Sequence, residues 1–160
     1  MKARLDSIDW HILKELQQDG RITNVELARR VGISAPPCLR RVRALEEAGL
    51  IRGYRTLLDE KQLGYEVTGF VMVGLHNQTE ADLLAFEAQV MQWKLVRESY
   101  ILSGEVDFIL KCISPDLETF QNFIIKDVTS TPNVDTVRTA LSIRRCKDEP
   151  TVAIADQNIA

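Results

Sequence analysis

GISAPPCLRRVRALEEAGLI, residues 32–51, decides how the first third of the chain is read. Pro36 and Pro37 stand just before a run that otherwise favours helix. Behind Ser34 as N-cap they fall in the first helical turn, where a missing N–H costs little because those donors have no intrahelical partner. The prolines therefore start this helix and do not break it. Cys38, Val42 and Leu45 recur at i, i+4, i+7 and form its buried stripe, and Gly49 ends it. Arg40, Arg41 and Arg43 fall mainly on the opposite side.

Upstream, LDSIDWHILKELQQDG (5–20) places Leu5, Ile8, Ile12, Leu13 and Leu16 on one helical face, with Asp6 or Ser7 near the start and Gly20 past the end. TNVELARRVG (23–32) begins at a Thr23 cap with Glu26 three residues on, a capping-box pair. Leu27, Ala28 and Val31 are its buried side, and Gly32 can take the left-handed conformation that stops it. Ala28 is small enough to let two helices cross closely before a tight turn. Downstream, LIRGYRTLLD (50–59) predicts two short strands around Gly53. Helix, helix, turn, helix, hairpin is a winged helix-turn-helix.

Charge supports that reading only through its placement. The chain is acidic overall, with a formal net charge of −3, yet Arg21, Arg29, Arg30, Arg40, Arg41 and Arg43 fall within 23 residues. Such clustering is a footprint of phosphate binding, or else a solvated face of a three-helix packing unit. Concentration on the third helix favours DNA. A helix fits the major groove, its N-terminal residues reach base edges, and arginine binds guanine or phosphate.

The remaining hundred residues follow a different rhythm. After the polar stretch DEKQLGYE (59–66), VTGFVMVGLH (67–76) alternates and is rich in β-branched residues, a strand. A helix over 79–92 starts at Thr79 and turns Leu83, Phe86 and Val90 inward. KLVRESYILSGEVDFILKCI (94–113) is two strands around Ser-Gly-Glu-Val. PDLETFQNFIIKDV (115–128) is a helix with Leu117, Phe120, Phe123 and Ile124 inward. NVDTVRTALSIRRC (133–146) closes with a strand whose Val137, Thr139, Leu141 and Ile143 share a face. The order βαββαβ is the ferredoxin-like split unit, so the fold class is α+β. Helices on one side of such a sheet leave the other face needing cover, which argues for self-association.

Other chemistries find little support. Cys38, Cys112 and Cys146 are odd in number and far apart, so they read as reduced cytosolic thiols and not as a disulfide framework or zinc site. His11 and His76 lie in different segments, and no catalytic cluster, phosphate-binding glycine loop or metal-ligand spacing is present. The expectation is no enzyme, no cofactor and no metal. No apolar run approaches the ~20 residues of a membrane span, and Asp6 and Asp9 stand where an export signal would be apolar.

Residues 9–59, read with the SGEVDFILK loop (103–111), resemble the Lrp/AsnC (leucine-responsive, feast/famine) transcription regulators. The likeness runs from about Leu5 to Arg145 and includes that family's Gly-x-x-Asp pattern, here Gly104 and Asp107, in its RAM/ACT-like domain. It implies a cytoplasmic, nucleoid-associated homodimer, assembling to an octamer, that binds double-stranded DNA through the third helix. It also implies a small effector, an amino acid, held between ferredoxin-like units. An effector-independent protein that wraps or bridges DNA is the alternative.

Carried over by position, the resemblance implies DNA contacts at Ser34, Pro36, Pro37, Arg40, Arg41 and Arg43, supported by Arg29 and Arg30 and by Arg52 and Arg55 of the wing. The implied effector positions are Ser103, Gly104, Glu105, Val106 and Asp107, with Val137 and Thr139 on the last strand. A glycine turn exposes N–H groups to a carboxylate, and Asp107 can hold an ammonium. Without the family context, Gly104 and Asp107 read as an ordinary hairpin turn. Two departures stand out. Many members have Pro-Gly-Val where this chain has Pro132-Asn133-Val134, and Val137 takes the first of two positions that are often threonine. Asn tolerates the left-handed conformation, and losing a hydroxyl at 137 suits an apolar effector side chain. The expected segments are 1–60 for DNA, 61–65 as hinge, 66–146 for effector and assembly, and 147–160 as tail.

Overall fold

The computed structural model describes residues 5–150 and 152–155, so the extreme ends of the expected 1–60 and 147–160 segments lie outside the described residues, as does residue 151. Three helices come first: α1 (Ser7–Gln18), α2 (Asn24–Val31) and α3 (Ala35–Glu47). Local chemistry starts each differently. Asp6 accepts the Asp9 N–H at 2.9 Å while Asp9 accepts the Asp6 N–H at 3.2 Å, a reciprocal capping box. Thr23 caps α2 by accepting the Glu26 N–H at 3.2 Å. The expected return contact is missing there, because the Glu26 carboxylate turns to Arg29 and Arg30 instead.

Ser34 is the N-cap of α3, yet its side chain makes no capping bond. The donors it would satisfy are the N–H groups of the second and third helical residues, and these are Pro36 and Pro37, which have none. Ile12 and Cys38, both fully buried, pack with Leu27, Ala28, Val31 and Leu45 into the core of this unit. Gly32 closes α2 at φ 76°, as its place in the turn demands.

The two short strands expected around Gly53 are not formed; residues 50–58 contain no strand. A lone two-stranded hairpin is marginal, and Gly53 at φ 147° holds a conformation that side chains rarely take. Side-chain contacts fix the arm instead. Tyr54 donates its hydroxyl to Glu46 at 3.0 Å, and its ring edge would meet a Cβ placed on Gly20 at 3.3 Å.

The second unit is βαββαβ: β1 (Val67–Leu75), α4 (Glu80–Val90), β2 (Val96–Ile101), β3 (Phe108–Ser114), α5 (Leu117–Phe123) and β4 (Val134–Leu141). The strands form one antiparallel sheet in the order β2-β3-β1-β4. Val71, Val73, Phe108, Leu110 and Cys112 are fully buried against Phe86, Val90, Trp93, Phe120 and Phe123. Alternate residues Phe70, Met72, Ile109 and Lys111 point to the other face and are half-buried.

Leu117, expected inward, is 44% exposed in the first turn of α5. After Phe123 the helix widens into a π turn, Ile124–Val128, with the Thr129 N–H bonded to the Ile124 carbonyl. That extra residue swings Val128 fully into the core while Ile124 packs at its edge. Val137, Thr139 and Leu141 do share a face, opposite Val73, Val71 and Gly69, whereas Ile143 lies beyond the strand and is 98% exposed. Asn133 takes φ 68°, and its side chain both accepts the Asn77 N–H and donates to the Asn77 carbonyl. The described residues fall into two units, 5–57 together with those after 146, and Leu58–Cys146.

Candidate DNA interface and effector loop

Burial of Cys38 and Leu45 fixes which side of α3 faces out: Pro36, Leu39, Arg40 and Arg43 are exposed along one stripe. Arg40 and Arg43 hold no ion pair among the described residues. Ser34, with its uncommitted hydroxyl, is exposed at the head of this stripe, and Pro37 is half-buried beside it. Leu39 was not among the residues singled out from the sequence; its outward position follows once Cys38 and Val42 are placed inside.

Arg29, Arg30 and Arg41 are held by carboxylates. Arg29 grips Glu26 with two bonds of 2.8 and 2.7 Å. Arg30 spans Glu26 and Glu15, each at 2.9 Å, and so links α2 to α1. Hydrogen bonds from Arg29, then Arg30, hold the Glu26 carboxyl down at about 2. Arg41 Nη1 lies 2.7 Å from Asp9 and 2.8 Å from Asp6. Arg52 and Arg55 are exposed on the arm after α3 and hold no ion pair among the described residues.

In the second unit the loop between β2 and β3 carries Ser103, Gly104 and Glu105 exposed, and Val106 and Asp107 half-buried. Asp107 ties three strands together. Its N–H donates to the Val73 carbonyl at 2.9 Å, its carbonyl accepts the Leu102 N–H at 2.8 Å, and its Oδ2 accepts the Leu75 N–H at 2.7 Å. The other carboxylate oxygen has no hydrogen bond among the described residues. Ile101, Phe108, Val73 and Val137 form one row across the sheet, which brings Val137 to the loop's end of it. Thr139 lies further along β4, opposite Val71. His76 with Asp135 (3.3 Å) and Arg138 with Glu105 (3.9 Å) add charge at that end; of these four only Glu105 is among the effector positions read from the sequence.

Gly104 takes no left-handed conformation, and a Cβ there would meet nothing within 4 Å. Nothing inside the chain requires a glycine at this position. Among the described residues no group of three or more His, Cys, Asp or Glu could hold a metal, and no helix is long and apolar enough to cross a membrane. Burial pushes the Cys112 thiol up to about 12, so it is an inert core residue.

The profile of the family described as winged helix-turn-helix DNA-binding matches residues 5–52, and that of the Lrp/AsnC ligand binding domain matches residues 68–152. A leucine-responsive regulatory protein of Rhizobium meliloti is 60% identical over 154 residues, 96% of this chain and 99% of that protein. The crystal structure of a Neisseria meningitidis transcriptional regulator in complex with L-Met superposes with a TM-score of 0.90 at 32% identity, covering 96% of this chain and 99% of that one. An AsnC family regulator of Agrobacterium tumefaciens gives a TM-score of 0.87 at 30% identity, over 93% and 97% of the two chains.

Proposed function

The chain belongs to the Lrp/AsnC family of transcriptional regulators, and from that premise we propose how it reads DNA and what it senses. It is a DNA-binding transcription regulator whose second unit is the family's ligand-binding domain, and not an enzyme. The helix α3 enters the major groove and presents Ser34, Pro36, Leu39, Arg40 and Arg43. Arg52 and Arg55 lie toward the phosphate backbone, and Arg29 and Arg30 flank it while held by Glu26 and Glu15. The single observation that carries this reading is the outward stripe of α3, with two unpaired guanidinium groups opposite the buried Cys38 and Leu45.

The effector is an amino acid with an apolar side chain, of the leucine or methionine kind. Support comes from the leucine-responsive name of the Rhizobium protein, the L-Met bound by the Neisseria regulator, and Val137 at the loop's end of the sheet. Ser103–Asp107 form its pocket together with a second copy of the chain, and Gly104 leaves room for that close approach. The free oxygen of Asp107 takes the ammonium. The half-buried apolar face of Phe70, Met72 and Ile109 meets the same face of a second copy, and dimers assemble to an octamer. Residues 1–60 bind DNA, 61–65 are the hinge, 66–146 sense and assemble, and 147–160 are a tail. The protein works in the cytoplasm, on the nucleoid.

The test is the affinity of the purified protein for a duplex selected from random DNA, followed by fluorescence anisotropy with each of the twenty amino acids. A change in affinity with leucine, methionine or a similar side chain is expected. Binding that responds to none of them would favour effector-independent DNA architecture.

A further inference from the structure

Arg40 and Arg41 are neighbours on α3, but their guanidinium groups are placed for different tasks. Arg40 is exposed and unpaired among the described residues, while the Arg41 side chain is only 33% exposed and bridges two aspartates at the head of α1, its cap Asp6 and Asp9. The oxygens of those aspartates are fully divided between two jobs. Asp6 Oδ1 accepts the Asp9 N–H and its Oδ2 holds Arg41; Asp9 Oδ2 accepts the Asp6 N–H and its Oδ1 holds Arg41. The group that starts α1 is therefore the group that grips α3. The Asp9 N–H, then the Arg41 guanidinium, hold the Asp6 carboxyl below its ordinary range.

We propose that Arg41 is a positioning residue: it fixes the angle at which α3 presents Pro36, Leu39, Arg40 and Arg43, and does not itself touch DNA. The apolar contact between these helices, through Ile12, Cys38 and Leu45, is non-directional and leaves α3 free to roll or tilt. A charge-assisted bridge to two fixed carboxylates supplies the direction that contact lacks. For Arg41 to reach a phosphate it would have to leave two anionic partners, and the phosphate would then lie beside two uncompensated carboxylates. The sequence alone gives Arg40, Arg41 and Arg43 one role; the geometry separates Arg41 from the other two.

This inference rests on α3 being the helix that enters the groove, so the experiment carries a control for that. Binding of the full-length protein to its selected operator and to an unrelated duplex is measured across a salt series. The variants are Arg41→Ala, Asp9→Asn, the double variant, and Arg40→Ala. Asp9→Asn keeps a hydrogen-bond acceptor for the cap while removing the charge. As a positioning residue, Arg41→Ala weakens operator binding about fivefold, roughly what a partly exposed ion-pair network is worth. It leaves the salt slope unchanged, Asp9→Asn reproduces the loss, and the double variant is no worse than either single one.

A phosphate-binding Arg41 gives the opposite pattern. Arg41→Ala then lowers the salt slope by about one, and Asp9→Asn, which frees the guanidinium and removes a negative charge, leaves binding equal or tighter. Either of those results overturns the proposal, as does unchanged operator affinity in Arg41→Ala. If Arg41→Ala does not fold by circular dichroism, Asp9→Asn and Asp6→Asn still decide, since both retain the arginine. An Arg40→Ala variant with unchanged affinity and slope would remove α3 from the groove, a failure distinguishable from that of the bridge.

Discussion

Gly69 and Phe120 occupy adjoining space so closely that a Cβ on Gly69 would lie 2.5 Å from the Phe120 ring. The ring of α5 rests directly on the backbone of β1, and this is what seats that helix on the sheet. Gly69→Ala therefore forces the ring or the helix to move, an overpacking that costs about 1–3 kcal/mol. Thermal denaturation of Gly69→Ala should show a lowered Tm, largely restored by Phe120→Leu in the same chain. An unchanged Tm would mean that α5 is not pinned at this contact.

Asp107 has one carboxylate oxygen bound to the backbone and one free among the described residues, and the proposed function gives the free one to an ammonium. Its Oδ2 accepts the Leu75 N–H at 2.7 Å, so Asp107→Ala leaves a half-buried donor unpaired at a cost of about 1–3 kcal/mol. Loss of effector response in that variant would be ambiguous. Asp107→Asn keeps an acceptor for Leu75 but removes the charge that holds an ammonium. We expect Asp107→Asn to retain nearly the parent Tm and operator affinity while losing the thermal shift given by the amino acid. A normal shift in Asp107→Asn would place the ammonium contact elsewhere.

Local signals carried most of the fold in the sequence. The prolines at the head of α3, the Thr79 cap, the alternation of β1 and β3, and an asparagine able to replace glycine at 133 each act within a few residues. What sequence spacing hid was long-range or depended on neighbours. Arg41 and Asp9 are 32 residues apart, and nothing in either segment marks them as partners. Leu117 departs from the expected inward set because it stands in the exposed first turn of α5, and Val128, which helical spacing did not mark, is brought into the core by the π turn. The missing Ser34 cap was legible, since two prolines in the first turn offer no N–H to accept.

Glu26 gives a pH dependence whose sign is fixed. Its carboxyl is held at about 2 by Arg29 and Arg30, below the ordinary value of 4.5, so the charged form is favoured by folding. The contribution is present above about pH 4.5 and is lost as pH falls toward 2. Urea unfolding followed by far-ultraviolet circular dichroism should show the midpoint falling over that window. In Glu26→Gln that part of the slope should flatten. An identical pH profile in the variant would show that the Arg29 and Arg30 contacts do not persist in solution.

The first turn of α3 is poor in donors, because Pro36 and Pro37 have no N–H, and this bears on how bases are read. What the exposed stripe offers near its head is the Pro36 ring and the Leu39 side chain, 39% exposed, alongside the Ser34 hydroxyl. Apolar groups in the major groove recognise the thymine methyl. Replacing thymine by uracil removes only that methyl, so operators substituted one position at a time should reveal a site where affinity falls by about 0.8 kcal/mol. Leu39→Ala should bind the parent operator more weakly and lose its sensitivity to that substitution. Arg40→Ala should weaken binding yet keep the sensitivity, because its contact is polar. If Leu39→Ala still discriminates thymine from uracil as the parent does, the methyl is read by another group, and Pro36 is the next to replace.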